Sequence, residues 1–169
     1  LMNEKQLTGV AVIIPALNEA GNIRRLVTEA LATCPAHVIV VDNGSTDATA
    51  EEARAAGAQV VHEARRGYGS ACAAGVAAAR DADVLAFLDG DYSSLPAELP
   101  TVLAPILADE ADLVLGSRVL GPAARGAPIR RAMSRARRGC APASTSVPRT
   151  RSRALALRAR IRTFACSAA

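Results

Sequence analysis

An apolar run that stops abruptly at two acidic residues constrains the fold of this chain more than any other feature. Residues 84–88 are Val-Leu-Ala-Phe-Leu, and Asp89, Gly90 and Asp91 follow at once. Five consecutive apolar residues are typical of a strand that is buried on both faces, as in a parallel sheet. Ligands of such sheets bind in the crevice beyond the carboxyl ends of the strands, so we expect Asp89 and Asp91 to lie there.

The two carboxylates suit a divalent metal ion. Asp89 and Asp91 would repel each other unless a cation or a hydrogen-bond donor lay between them. Because Mg²⁺ is usually bound through one or two carboxylates together with phosphate oxygens, a metal ion that carries a diphosphate fits this pair. Taken alone, Asp-x-Asp is common in loops, and an ordinary polar turn after the strand is the simpler explanation.

The chain before residue 121 alternates apolar runs with helical patterns. The runs predict strands over 10–14 (ended by Pro15), 38–41, 58–61, 84–88 and 111–115. The periodicity predicts helices over 19–33, 70–80 and 95–107, and another that Ser45 or Thr46 caps, that Asp47 favours and that Gly57 ends. This alternation predicts right-handed βαβ units and a mostly parallel sheet flanked by helices.

Charge divides the chain into two segments. Residues 1–112 carry seven basic and 16 acidic side chains, whereas residues 113–169 carry 13 arginines and no acidic residue. Hydrophobic periodicity is lost beyond residue 121, and only residues 154–162 predict a short basic helix. We therefore expect residues 121–169 to be a disordered basic tail. The abrupt change in composition is also typical of translation in a shifted reading frame, which resequencing the DNA would test.

Composition limits the partners and the location. Arginines in the tail would attract the phosphates of a nucleic acid or an anionic membrane. Phe164 is the only aromatic residue of that tail, so base stacking is unsupported and no nucleic acid is expected. The sequence has neither a bilayer-spanning apolar run nor a secretory leader pattern, which favours the cytoplasm. Its four cysteines are far apart and are expected to be reduced.

Polar residues also follow the first three predicted strands. Asp42 comes after the second strand and suits hydrogen bonding to a base or a ribose. Gly67 and Gly69 allow the backbone to approach a ligand closely, and Arg66 together with the following helix N-terminus favours an anion. An ordinary turn or cap explains each group singly. Four such groups at one edge of a sheet predict a nucleotide-binding crevice.

Four motifs occur in a fixed order along the chain. They are Ile-Ile-Pro-Ala-Leu-Asn-Glu at 13–19, Val-Val-Asp-Asn-Gly-Ser-Thr-Asp at 40–47, Arg-Gly-Tyr-Gly at 66–69 and Asp-Gly-Asp at 89–91. Together they resemble family 2 glycosyltransferases, in particular the dolichyl-phosphate mannose synthase-like branch. The resemblance covers about residues 9–120. It implies an α/β, Rossmann-like GT-A domain over 1–120, with the fold incomplete at the C-terminus.

The resemblance implies roles for individual residues. It implies a nucleotide-diphospho-sugar donor, linked to UDP or GDP, and Mg²⁺ or Mn²⁺ as cofactor. The residues implied to bind the donor are Pro15, Leu17, Glu19, Asp42, Arg66, Gly67, Gly69, Asp89 and Gly90. Asp89 and Asp91 would hold the metal. Catalytic roles fall to Asp91 and to Arg118, which would meet an acceptor phosphate.

The implied reaction is transfer of the sugar with inversion, in which the metal neutralises the leaving diphosphate. We expect a polyprenyl or dolichyl phosphate as acceptor, at the inner face of the membrane. Such a phosphate is already an anion and needs no strong general base, whereas a hydroxyl acceptor would need one. A soluble acceptor such as phosphoglycerate is the alternative. An inactive donor-binding domain is another, because no acceptor-site segment is recognisable in residues 122–169.

A dinucleotide-binding dehydrogenase is the remaining alternative. Gly67-x-Gly69 follows a predicted strand and precedes a helix, and Asp89 lies 20 residues after Gly69, as the dinucleotide-binding fingerprint requires. However, Cys72 occupies the position of the third glycine. This alternative also leaves Asp91 and residues 15–19 without a role.

Overall fold

One sheet and four helices make up the part of the chain that this computed structural model describes, which is residues 9–33 and 37–116 and the backbone of residues 154–158. The strands are β1 (Val10–Ala16), β2 (His37–Asp42), β3 (Gln59–His62), β4 (Val84–Leu88), β5 (Leu113–Leu115) and β6 (Ala154–Arg158). The helices are α1 (Ala20–Thr33), α2 (Thr49–Ala55), α3 (Tyr68–Ala78) and α4 (Leu99–Leu107). A short 3-10 helix, Pro96–Glu98, precedes α4.

The strand order in the sheet is β3-β2-β1-β4-β6-β5. Strands β1 to β4 pair in parallel, which confirms the predicted mostly parallel sheet. The chain runs outward from β1 to β3 on one side and then returns to place β4 on the other side of β1. The loops after β1 and β4 therefore leave the sheet in opposite directions, and such a topological switch point is where open α/β sheets bind ligands.

Every residue of β1 and of β4 is buried, as expected for strands covered on both faces. Val12 and Ile14 of β1 belong to a core cluster that includes residues of α1 and α4. Their neighbour Ile13 faces the opposite cluster, which includes residues of α3. A Cβ atom built on Gly75 of α3 would clash with Ile13, so this helix approaches the sheet very closely. The close approach fixes the start of α3 relative to the ends of the strands.

Pro15 does not end β1, contrary to the prediction. Strand β1 pairs with β2 as far as Ala16, but its pairing with β4 stops at Ile13. A Cβ atom built on Gly90 would lie 3.0 Å from the carbonyl oxygen of Pro15, so this carbonyl faces the segment after β4. The carbonyl group and the nitrogen of the same strand residue point toward the same neighbouring strand. The missing N–H of Pro15 therefore costs no hydrogen bond of the sheet.

The predicted cap of α2 is also wrong. This helix begins at Thr49, and neither Ser45 nor Thr46 caps it. Both side chains bind the segment after β1 instead: Ser45 Oγ accepts from the N–H of Asn18 (3.0 Å), and Thr46 Oγ1 donates to Asn18 Oδ1 (3.3 Å). Asp47 does lie at the positive end of α2, as predicted, and its Oδ1 accepts the N–H of Thr49 (3.0 Å).

Residues 154–158 form a strand, where a short helix was predicted. Strand β6 lies antiparallel between β4 and β5. It pairs backbone groups of β4 and β5 that would otherwise lack partners in the sheet, and this tertiary demand overrides the weak helical pattern. Of the expected basic tail, β6 is the only part that lies within the described residues. No helix in the described part of the chain has the length and apolar character to cross a bilayer.

Candidate functional site

A cavity of about 240 Å³ lies at the carboxyl ends of β1 and β2. Its lining residues are Pro15, Ala16, Leu17, Asn43, Arg66, Gly67, Tyr68 and Ala71. Four of the predicted donor-binding residues are among them. Leu17 is 43% exposed and Tyr68 is 61% exposed, so two large apolar side chains stand open to solvent at the cavity. Such walls suit a flat aromatic ligand.

Asp42 presents a buried carboxylate at the end of β2. It is only 6% exposed, and its two oxygens accept hydrogen bonds from the N–H of Ser45 (2.9 Å) and from Nδ1 of His62 (3.0 Å). Burial alone would raise the pKa of Asp42, but the hydrogen bonds from Ser45 and His62 outweigh it and hold this pKa below its ordinary value. Asp42 is therefore an ionised hydrogen-bond acceptor at neutral pH.

Asn43 organises the loop between β3 and α3. Its Nδ2 donates to the carbonyl oxygens of Glu63 and Arg65, both at 2.9 Å, and its Oδ1 accepts the N–H of Gly67 at 2.7 Å. Gly67 has φ +129°, a backbone conformation that residues other than glycine rarely adopt. Sequence reasoning missed this role of Asn43, although the residue stands inside a motif, because its partners lie on another loop.

The loops after β1 and β2 are bonded to each other. Asn18, at φ +57°, accepts the N–H of Thr46 at 2.8 Å. The N–H of Glu19 donates to Thr49 Oγ1 (2.8 Å), and the N–H of Ala20 donates to Asp47 Oδ2 (3.1 Å). Side chains at the start of α2 and in the loop before it thus cap the first turn of α1. This arrangement holds the Pro15 to Glu19 segment against the end of β2.

Gly90 packs the acidic turn against the end of β1. A Cβ atom at this buried position would lie 3.0 Å from the carbonyl oxygen of Pro15 and 3.3 Å from Cγ of Glu19. Asp89 accepts a hydrogen bond from the Tyr68 hydroxyl (3.3 Å), and Asp91 accepts the N–H of Ser93 (2.9 Å). The structure therefore brings the Asp89-Gly90-Asp91 turn and the segment from Pro15 to Glu19 together at the switch point.

The donor set at this turn fits a hard divalent cation. Asp89 and Asp91 supply carboxylate oxygens, and Ser93 Oγ is buried without a hydrogen-bond partner. Within the described residues, no group of three or more His, Cys, Asp and Glu side chains could hold a metal ion. A metal at Asp89 and Asp91 would therefore need further oxygen ligands from a bound molecule, as Mg²⁺ takes from phosphates.

Tyr92 ties the acidic turn to α1, which the sequence did not indicate. The residue follows Asp91 directly and has φ +58°. Its hydroxyl donates to Glu29, whose other oxygen accepts from Arg25 Nε at 2.8 Å. The guanidinium of Arg25 lies 4.4 Å from the centroid of the Tyr92 ring. Three interlinked side chains thus hold the residue next to Asp91.

The predicted site residues that remain to be placed are Arg66, Gly69 and Arg118. Arg66 lies at the cavity, where its Nη2 donates to the carbonyl of Gly44 at 3.3 Å. Gly69 lies in the first turn of α3, and a Cβ atom built on it would meet nothing within 4 Å. Arg118 lies outside the described residues. Cys72 of α3 is a free thiol whose pKa is raised by burial; the remaining cysteines also fall outside the described residues.

Residues 11–166 match the family model described as glycosyl transferase family 2, which extends the match beyond residue 120. An uncharacterized glycosyltransferase of Mycobacterium tuberculosis is 46% identical over 111 residues, which are 64% of this chain and 48% of that protein. Polyprenol monophosphomannose synthase of Mycolicibacterium smegmatis is 40% identical over 131 residues, 71% of this chain and 49% of that protein. The chain thus spans about half the length of these relatives.

Solved structures of a glucosyl-3-phosphoglycerate synthase are also similar to this chain. The crystal structure of glucosyl-3-phosphoglycerate synthase from Mycobacterium tuberculosis with Mn²⁺, UDP and glucosyl-3-phosphoglycerate has a TM-score of 0.57 and 29% identity. The match covers 68% of this chain and 47% of that chain. A structure of the same synthase with Mg²⁺ and UDP has a TM-score of 0.56 and 28% identity, over 68% of this chain and 47% of that one.

Proposed function

The chain belongs to glycosyl transferase family 2, and we propose that it transfers a sugar from a nucleotide-diphospho-sugar donor to an acceptor with the help of Mg²⁺ or Mn²⁺. The predicted family and its α/β GT-A fold are confirmed. The observation that carries the proposed activity is the Asp89-Gly90-Asp91 turn, which packs against the end of β1 at the switch point. The dehydrogenase alternative loses its basis, since its Gly-x-Gly motif follows β3, which is an edge strand of the sheet and not a strand at the switch point.

We propose that the cavity binds the nucleoside of the donor and that the acidic turn binds the metal ion of its diphosphate. We place the nucleoside in the cavity, between the exposed side chains of Leu17 and Tyr68, with Asp42 as an acceptor for N–H or O–H groups of base or ribose. Arg66 and the N-terminus of α3 are close to the same cavity and suit the diphosphate.

Residues of the chain would orient the donor and stabilise the departing charge. Asp89 and Asp91 would hold the metal ion, which when bound supplies neutralisation of the negative charge on the leaving diphosphate. Tyr92 and its partners on α1 keep the backbone beside Asp91 in place. Arg118 stays a prediction for the acceptor side.

The acceptor we propose is a polyprenyl phosphate, and the similarity to polyprenol monophosphomannose synthase supports it. This would place the protein peripherally at a membrane. Phosphoglycerate is the second candidate, which the similarity to glucosyl-3-phosphoglycerate synthase supports. A lipid phosphate attacks as an existing anion and needs no strong base, whereas a hydroxyl group must lose a proton.

The donor is identified by thermal-shift and calorimetric titration with UDP- and GDP-sugars in the presence of Mn²⁺. We expect one nucleotide series to stabilise the protein, and Asp91→Ala to abolish the dependence on the metal. A labelled sugar then reports the acceptor, because the product partitions into organic solvent with a polyprenyl phosphate and remains in water with phosphoglycerate. Absence of metal-dependent binding of either nucleotide series would contradict the proposal.

A further inference from the structure

His62 lies between the buried carboxylate of Asp42 and an arginine of a neighbouring helix. It ends β3 and stands directly opposite Asp42 in the parallel register of β2 and β3. Its Nδ1 lies 3.0 Å from Asp42 Oδ2, and its Nε2 lies 2.7 Å from Nη2 of Arg54 on α2. The proposed donor site does not yet explain this chain of three side chains.

The partners of the ring define which nitrogen carries the proton. Arginine offers only N–H donors, so Nε2 of His62 must accept the hydrogen bond from Arg54. The proton of the neutral ring is then on Nδ1, from which it is donated to Asp42. The contact between His62 and Asp42 is therefore a hydrogen bond that Nδ1–H of His62 donates, and both Arg54 and the carboxylate of Asp42 require this direction.

The position of His62 does not follow from packing. Its side chain is 60% exposed, whereas that of Asp42 is 8% exposed, so the histidine buries little apolar surface. What it does contribute is polar: with the N–H of Ser45 on Oδ1 and His62 on Oδ2, both carboxylate oxygens of Asp42 accept hydrogen bonds from the protein. The remaining lone pairs are thereby fixed in direction.

We propose that His62, tethered by Arg54, is a positioning residue that orients Asp42 for recognition of the donor nucleoside. This inference rests on the proposed function, in which Asp42 meets the base or the ribose. It assigns to His62 no contact with the diphosphate or the metal. Loss of His62 should therefore weaken binding of a nucleoside diphosphate and leave binding of a metal-bound pyrophosphate unchanged.

Three substitutions test separately the hydrogen bond from Arg54 to His62 and the one from His62 to Asp42. His62→Ala removes both hydrogen bonds, whereas the amide of His62→Asn can still donate to Asp42. Arg54→Met, on an exposed position of α2, removes only the tether. His37→Ala is the matched control, because His37 is exposed at the opposite end of β2 and is the only other histidine of the chain.

Calorimetry with Mn²⁺ compares UDP and GDP with inorganic pyrophosphate for each protein. We expect His62→Ala to weaken binding of the nucleotide that the wild type prefers by about 10-fold, as for loss of a hydrogen bond to a charged group. His62→Asn and Arg54→Met should lose less, and His37→Ala nothing. Pyrophosphate affinity should be the same in all five proteins.

Nitrogen NMR of the protein labelled at histidine tests the tautomer directly, since two histidines give few signals. We expect the Nδ1–H tautomer for His62 in the wild type, because both Arg54 and the ionised carboxylate of Asp42 require it. Equal nucleotide affinity of folded His62→Ala and the wild type would overturn the inference alone. If His62→Ala does not fold, an unchanged nucleotide affinity in Arg54→Met overturns it. A wild type that binds pyrophosphate but neither nucleotide would overturn the proposed function, and the inference with it.

Discussion

Replacement of Gly90 by alanine tests whether close packing sets the position of the acidic turn. The new Cβ atom would lie 3.0 Å from the carbonyl oxygen of Pro15 and 3.4 Å from Cα of Ala16. Both are backbone atoms of a central strand and cannot rotate away. Gly90 does not have the positive φ of Gly67, so backbone strain adds nothing and the effect of the substitution is steric.

The size of the effect follows from the overlap. Ordinary van der Waals contact begins near 3.4 Å, so the turn must move away from β1 by about 0.4 Å or retain the strain. Overpacking of this kind costs about 1–3 kcal/mol in the free energy of unfolding. If a misplacement of about 1 Å costs about 100-fold in rate, one of about 0.4 Å costs about 6-fold in kcat/KM.

Gly21 provides the control for this substitution, and Gly69 provides a contrast. A Cβ atom on Gly21 or on Gly69 would meet nothing within 4 Å, and each residue lies in the first turn of a helix. Gly21→Ala should raise the free energy of unfolding by up to about 1 kcal/mol and leave donor binding unchanged. Gly69→Ala should be equally stable, but it should weaken donor binding, because the space in front of Gly69 is the space that we assign to the diphosphate.

The assay combines urea denaturation with titration of Mn²⁺, in the presence of the bound nucleotide, by the paramagnetic signal of the free ion. We expect lower stability and weaker Mn²⁺ binding for Gly90→Ala, and neither change for Gly21→Ala. Wild-type stability together with wild-type Mn²⁺ affinity in Gly90→Ala would refute the reasoning, because the turn would then not depend on its contact with β1.

Two further predictions concern residues on either side of this turn. Tyr92→Phe keeps the ring beneath Arg25 but removes the hydroxyl that donates to Glu29; we expect a loss of about 1 kcal/mol in the free energy of unfolding by urea denaturation, and weaker Mn²⁺ binding. Because the pKa of Asp42 is below its ordinary 3.8 in the folded protein, its ionised form stabilises the fold above that pH, and this contribution is lost as the pH falls through the folded-state pKa. The stability difference between the wild type and Asp42→Asn should thus shrink as the pH falls below about pH 4, and a difference that did not shrink there would refute this assignment.

The sequence predicts the strands better than the ends of the helices. Residues 84–88 form β4 as predicted, because a continuous apolar run between polar segments has few other solutions. Helix α3 starts at Tyr68, two residues before the predicted 70, since Gly67 at φ +129° lets the chain enter the helix earlier. Pro15 stays in β1 because the neighbouring strand has already ended, which no local pattern reveals.

What the sequence could not predict are contacts between motifs. The sequence shows the acidic pair itself. The hydrogen bond between Tyr92 and Glu29 that supports this pair joins residues 63 positions apart. Asn43 stands within a motif, yet its three partners lie 20–24 residues away on another loop. A linear pattern shows which residue types are available at the ends of strands. The fold decides which of them meet.

The contacts between loops also explain how one sheet edge can hold a donor precisely. Loops after four different strands converge there, and each is tied to a neighbour by hydrogen bonds or close packing: the β1 loop to the β2 loop through Asn18, the β2 loop to the β3 loop through Asn43, and the β4 turn to β1 through Gly90. A ligand that bridges the cavity and the acidic turn therefore meets groups whose entropy of ordering has already been lost on folding. The loops most important for the proposed chemistry should accordingly resist local unfolding before any donor binds, and amide hydrogen exchange at Gly67, whose N–H is held by Asn43, reports this directly.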